Sequence, residues 1–191
     1  MRTLHIRNYL YYKFLNSLFL GLSVGSIFVL YTPLKPSIFS LGGIFLAIGM
    51  LVVAKFYDKI MNLEEFFYIT LFVEFIVLGF ILAFLILNYS YASALLVYLG
   101  YQITFMFGNY LVRMETLALK KTKIISFADI MKQKGYLVGL VISYLFYKLL
   151  DYIDITNKQI QVYDLHIGLL VLEVVIIIFI FKSFSRTPNL S

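Results

Sequence analysis

Phe66-Phe67-Tyr68-Ile69-Thr70-Leu71-Phe72-Val73-Glu74-Phe75-Ile76-Val77-Leu78-Gly79-Phe80-Ile81-Leu82-Ala83-Phe84-Leu85-Ile86-Leu87-Asn88 carries a single charged side chain, Glu74, in an otherwise apolar run. About 20 mainly apolar residues are what a helix needs to cross about 30 Å of hydrocarbon, so this stretch reads as a membrane span. Working outward, five more runs meet the same test, at 14–31, 38–56, 92–112, 127–150 and 165–181. The expectation is an all-α fold, an integral membrane six-helix bundle forming a single transmembrane domain over residues 1–191. Composition agrees, with 62% hydrophobic residues, 14% charged residues and a mean hydropathy of +0.92. A soluble domain carries about a quarter charged residues, and one core of this size cannot bury such an apolar excess.

The connections carry their own punctuation. Thr32-Pro33-Leu34-Lys35-Pro36-Ser37 is a turn whose prolines cannot continue a helix, Asn88-Tyr89-Ser90-Tyr91 is a tight turn, and 151–164 reads as a polar loop. Ser126-x-x-Asp129 has the pattern of a capping box opening the fifth helix. Orientation follows from counting Lys and Arg on each side. With the N-terminus inside, thirteen basic residues face the cytoplasm and only Lys35, Lys148 and Lys158 face outward. Both termini and the 113–134 segment are therefore expected inside, in a bacterial cytoplasmic (inner) membrane, with lipid as the principal partner. The first apolar run lacks a small-residue cleavage pattern, so a cleaved signal peptide is not expected.

Several chemistries lack their residues. With no cysteine and two isolated histidines, His5 and His166, no metal site and no cofactor are expected. Neither H-E-x-x-H nor paired intramembrane aspartates is present, so the chain does not read as an enzyme. The net charge of +6 sits at helix ends and orients the chain, so no nucleic-acid partner is expected.

Polar groups inside the spans are the candidate functional residues. Glu74 and Glu173 lie mid-span in the third and sixth helices, where an exposed carboxylate costs at least about 2.5–3.5 kcal/mol. They are proton or cation candidates, or else neutral carboxyls that serve packing. Their flanks match, Leu71-Phe72-Val73-Glu74-Phe75-Ile76-Val77 against Leu170-Val171-Leu172-Glu173-Val174-Val175-Ile176, as two inverted three-helix repeats would produce. In the fourth helix, Gln102, Asn109 and Arg113 are spaced to share one face, and the first helix offers Asn16, Ser17, Ser23 and Ser26. These faces suggest either a water-filled substrate pathway, with Asn16, Gln102, Asn109 and Arg113 along it, or interhelical hydrogen bonding alone.

Small residues mark close helix contacts: Gly21 and Gly25; Gly42, Gly43 and Gly49; and Gly135, Gly139 and Ser143. The latter two sets, on the second and fifth helices, are candidate association faces. Tyrosines such as Tyr9, Tyr11, Tyr12, Tyr31, Tyr57, Tyr89, Tyr91, Tyr147 and Tyr152 fall near span boundaries and read as an interfacial belt without a further role.

Between the second and third spans stands Ala54-Lys55-Phe56-Tyr57-Asp58-Lys59-Ile60-Met61-Asn62. It resembles a decayed form of the major facilitator superfamily signature G-x-x-x-[DN]-[RK]-x-G-[RK], matching at Asp58-Lys59. The Arg113-Met114-Glu115 exit of the fourth helix into Lys120-Lys121 is similar to that family as well. The resemblance implies an inner-face motif at Asp58, Lys59 and Glu115. It also implies cavity-lining first and fourth helices, and second and fifth helices that join two six-helix halves. This chain has the length of one half. The leading expectation is a half-size facilitator-like transporter acting as a homo- or heterodimer, by self-association or with a second six-helix membrane protein. The alternatives are a non-transporting membrane scaffold or assembly protein, and the substrate-binding six-helix subunit of an energy-coupled importer.

Overall fold

The computed structural model describes residues 2–186, and the tail beyond Arg186, expected on the cytoplasmic side, lies outside them. Helix α1 (Ile6–Leu30) leads through the proline turn to α2 (Pro36–Lys55), with Pro36 in its first turn, where a missing N–H costs nothing. A single turn, α3 (Tyr57–Ile60), precedes α4 (Leu63–Leu87). The Asn62 side chain opens α4 by accepting from the N–H groups of Glu64 and Glu65. Ser90 and Ser93 form a reciprocal capping box at the start of α5 (Tyr91–Met106), and α6 (Gly108–Leu119) continues it. Helix α7 (Thr122–Tyr152) and α8 (Lys158–Ser183) complete the set. A short antiparallel ribbon, β1 (Arg2–Leu4) with β2 (Phe184–Arg186), ties the start of α1 to the end of α8. Apart from that ribbon the described chain is all-α.

The helix directions can be read from their contacts. Helix α1 runs parallel to α7, with Gly135 against Phe14, Gly139 against Leu18 and Gly25 beside Tyr147. Helix α2 runs parallel to α5, with Gly42 against Tyr98 and Gly49 against Met106. Helix α4 runs antiparallel to α8, where Phe67 meets Phe181 at 5.7 Å and Phe84 meets His166 at 4.4 Å between ring centres. Helix α4 is also antiparallel to α5, and α1 to α8, where Asn8 donates to the carbonyl of Lys182 at 2.8 Å.

Among the described residues five helical stretches are long and apolar enough to cross a membrane: α1, α2, α4, the α5–α6 run and α8. Helix α7, expected as the span at 127–150, falls short of that hydropathy because Asp129, Lys132, Lys134, Lys148 and four tyrosines interrupt its apolar face. Other expectations also shift. Ser126 and Asp129 cap nothing: α7 starts at Thr122, a turn earlier. The polar loop at 151–164 shrinks because α8 starts at Lys158 behind an Asn157 cap, and Gln161 bridges back to Asp151 at 2.7 Å. The shared face of Gln102, Asn109 and Arg113 is interrupted. The helix breaks at Phe107, whose N–H bonds to Thr104 in a tightened turn.

Candidate functional site

Helix α1 repeats polar side chains on one face, at Tyr9, Tyr12, Lys13 and Asn16, and small ones on another, at Ser17, Gly21 and Gly25. The small face seats α7. There a Cβ at Gly139 would stand 3.0 Å from the Gly21 Cα and nearer still to the Leu18 carbonyl oxygen. Ser143 donates to the Leu22 carbonyl at 3.1 Å. Gly135, Gly139 and Ser143, expected as an association face, are thus occupied within the chain. Gly42 and Gly49 likewise face α5, and of the expected association residues Gly43 alone meets nothing.

The polar face of α1 looks toward α4, α6 and α8. The Tyr12 hydroxyl donates to Glu74 Oε1 at 2.9 Å, and the Asn16 amide donates to the same oxygen at 2.8 Å. Glu173 comes from the opposite direction on α8 and sets its carboxyl beside that of Glu74. Glu74 and Glu173 are 2% and 0% exposed, and neither Glu173 oxygen sits in a well-formed hydrogen bond. Lys13 Nζ holds Glu115 Oε2 at 3.0 Å. Glu115 Oε1 and Thr70 Oγ1 are also buried without a hydrogen-bond partner.

Of these groups Tyr12, Lys13, Asn16 and Glu74 line a cavity of about 190 Å³ bounded by α1, α4, α5 and α6, while Glu173, Glu115 and Thr70 lie outside its lining, Glu173 beside Glu74. Tyr12, Lys13, Asn16, Glu74, Tyr101 and Thr104 line it, and Leu20 and Phe105, both exposed, flank its mouth. The mouth therefore opens on the side of the bundle, between α1 and α5. Two ionised carboxylates in contact away from water repel strongly, and a proton between them or a cation beside them relieves the repulsion.

The other sequence candidates lie elsewhere. Gln102 is half-buried on α5 and Asn109 is exposed on α6, both outside the cavity lining. Arg113 is exposed, its guanidinium carbon 5.9 Å from the centre of the Tyr57 ring. It shares a shallow surface pocket with Asp58, without an ion pair between them among the described residues. Lys59 is exposed over Phe56, while Glu115 turns inward to Lys13, so the inner-face trio Asp58, Lys59 and Glu115 does not act as one unit.

Sequence reasoning passed over Tyr9, Tyr12 and Lys13. The apolar run starts at Phe14, which leaves Tyr9 and Tyr12 at the boundary and Lys13 among the basic residues of one side, whereas the helix starts two turns earlier at Ile6 and carries all three inside. The signal available was their spacing with Asn16. Among the described residues no three His, Cys, Asp or Glu side chains gather as a metal site. Compared with protein-family models, curated proteins and solved structures, the chain matches none of them significantly.

Proposed function

We propose that this chain is a six-span, half-size facilitator-like carrier that works as a dimer, with itself or with a second six-helix membrane protein, and exchanges its solute against protons. The observation that carries the reading is the Glu74–Glu173 pair beside a polar cavity that opens sideways. Polar side chains facing lipid at that depth are costly, and a second half seated over the α1–α5 mouth removes the cost and encloses a pathway.

Six crossings are supported by two contacts. The β1–β2 ribbon brings the start of α1 and the end of α8 to one side, which requires an even number of crossings. Helix α7 lies parallel to α1 over the stretch from Phe14 to Gly25, so it shares whatever depth α1 occupies. Inverted repeats are supported by the pairing pattern. Exchanging the first three long helices for the last three turns the α1–α7 pair into the α5–α2 pair, and the α1–α8 pair into the α5–α4 pair. The same exchange maps α4 onto α8, so the two glutamates meet at the pseudo-symmetry axis.

The test uses everted membrane vesicles from cells producing the protein, acidified inside and followed with a pH-gradient dye. A panel of amines, carboxylates, sugars and amino acids is added in turn. The reading expects at least one solute to collapse the gradient with the wild type and not with Glu74→Gln, and expects cross-linked dimers or a co-purified membrane partner in nanodiscs. A monomer without a partner overturns it in favour of a scaffold.

A further inference from the structure

We infer that the cavity between α1, α4 and α5 takes a small organic cation, an amine or quaternary ammonium, bound against the Glu74–Glu173 pair in place of its proton. This rests on the carrier reading and names the chemical class of its solute.

Charge is the first ground. From α1, Tyr9, Tyr12 and Lys13 face the pair; from α5, Tyr101; from α6, Glu115. Lys13 is the one cation in that set, and Glu115 already holds it at 3.0 Å. Glu74, Glu115 and Glu173 thus share one ammonium, which acts on Glu74 only through space, and both Glu173 oxygens are buried without a hydrogen-bond partner. A solute anion would meet the Glu74 carboxyl in the wall, toward which the Tyr12 hydroxyl and an Asn16 amide N–H already point.

The wall is the second ground. Phe19, Tyr101 and Phe105 join Tyr9 and Tyr12 around the space, and aromatic faces attract cations, most strongly where water is excluded. Size is the third. A cavity of about 190 Å³ holds the equivalent of about six waters at roughly 30 Å³ each, room for a compact ammonium. The pair with one shared proton carries a single negative charge; as the cation enters, that proton leaves, so the net charge of the site is unchanged by the exchange.

The test measures binding by calorimetry on the full chain in nanodiscs. The probes are choline and its neutral isostere, in which carbon replaces the ammonium nitrogen. Choline is expected to bind, with affinity rising by up to about ten-fold per pH unit as proton competition falls, and the isostere at least about ten-fold more weakly. Glu173→Gln should lower choline affinity by about ten-fold or more, Tyr101→Phe should keep it and Tyr101→Leu should weaken it, each variant first checked for an intact thermal transition. Equal binding of choline and its isostere, no binding of choline, or indifference to both Glu173→Gln and Tyr101→Leu overturns the inference. The vesicle panel separates the two readings. A gradient collapsed by sugars or carboxylates but by no amine leaves the carrier reading standing and removes the cation. A gradient that no solute collapses counts against the carrier reading itself, whatever choline does in nanodiscs.

Discussion

Toward α7, helix α1 offers Gly21 and Gly25 and lets two backbones touch; toward α4 and α6 it offers Tyr12, Lys13 and Asn16 and meets two carboxyls, Glu74 and Glu115, with Glu173 of α8 beside Glu74. The first seam is closed by main-chain contact at Gly21, Gly135 and Gly139, and one buried hydroxyl, that of Tyr147 beside Gly25, lacks a hydrogen bond there. The second contains four buried oxygens without hydrogen bonds, on Thr70, Glu115 and Glu173, and an open cavity. In lipid, small residues supply packing that the hydrophobic effect does not, whereas unsatisfied polar atoms are costly and mark where a proton, water or solute belongs. One helix thus joins a rigid rail to an adjustable chemical site.

The largest expected effect breaks the rail. Gly139→Leu drives a side chain into the Leu18 carbonyl and the Gly21 Cα, and overpacking against backbone should cost about 3 kcal/mol or more. Thermal unfolding in detergent should show a lost or much lowered transition. Gly43→Leu, where a Cβ meets nothing within 4 Å, should stay within about 0.5 kcal/mol of the wild type. Equal damage from both would mean that the glycine rows do not divide into an inner seam and an open face.

Next comes the charged side of the comparison. Lys13→Met leaves Glu115 buried without its cation and should cost about 3–5 kcal/mol by the same melt. The double variant Lys13→Met with Glu115→Leu should recover most of that loss, because an apolar pair suits the same space. A double variant no better than the single one would show that the pair does not stand alone in this pocket.

How much of this was legible in the residues differs between the two faces for physical reasons. Glycine spacing is local, so Gly21, Gly135 and Gly139 announced close contacts, though not which helix each would meet. The apolar runs announced the helices, but their ends were misplaced wherever polar residues continue a helix. Tyr9, Tyr12 and Lys13 at the start of α1, and Lys158 to Asp164 at the start of α8, are the cases in point. Glu74 and Glu173 stood out singly, since a lone carboxyl in an apolar run is conspicuous. That they touch depends on α4 and α8 lying antiparallel at one particular register, and no local pattern contains that. The face drawn through Gln102, Asn109 and Arg113 failed for the opposite reason. It assumed a continuous helix across Phe107-Gly108, where the backbone breaks.

A smaller effect is expected outside the comparison, at the end of the bundle that carries the β1–β2 ribbon. Arg2 bonds Glu64 at 3.1 Å and stacks its guanidinium 3.6 Å above the Phe67 ring. Glu64 is 42% exposed, so Arg2→Ala should cost only about 1 kcal/mol, mostly from the stacking. A loss several times larger would mean that the β1–β2 ribbon, and not the helix seams, governs stability.

The contact between Glu74 and Glu173 is best tested by reversing one charge. Glu173→Lys places an ammonium beside the Glu74 carboxylate, so the variant should fold as an ion-paired form of the same bundle. Adding Glu74→Gln to it should then remove about 3–5 kcal/mol of stability, whereas Glu74→Gln in the wild-type background should change little. Thermal unfolding of the four proteins in nanodiscs gives the coupling directly. A large coupling is the result expected if the two carboxyls meet. If Glu74→Gln alters the Glu173→Lys protein no more than it alters the wild type, the two side chains are not in contact and the account of the site is wrong.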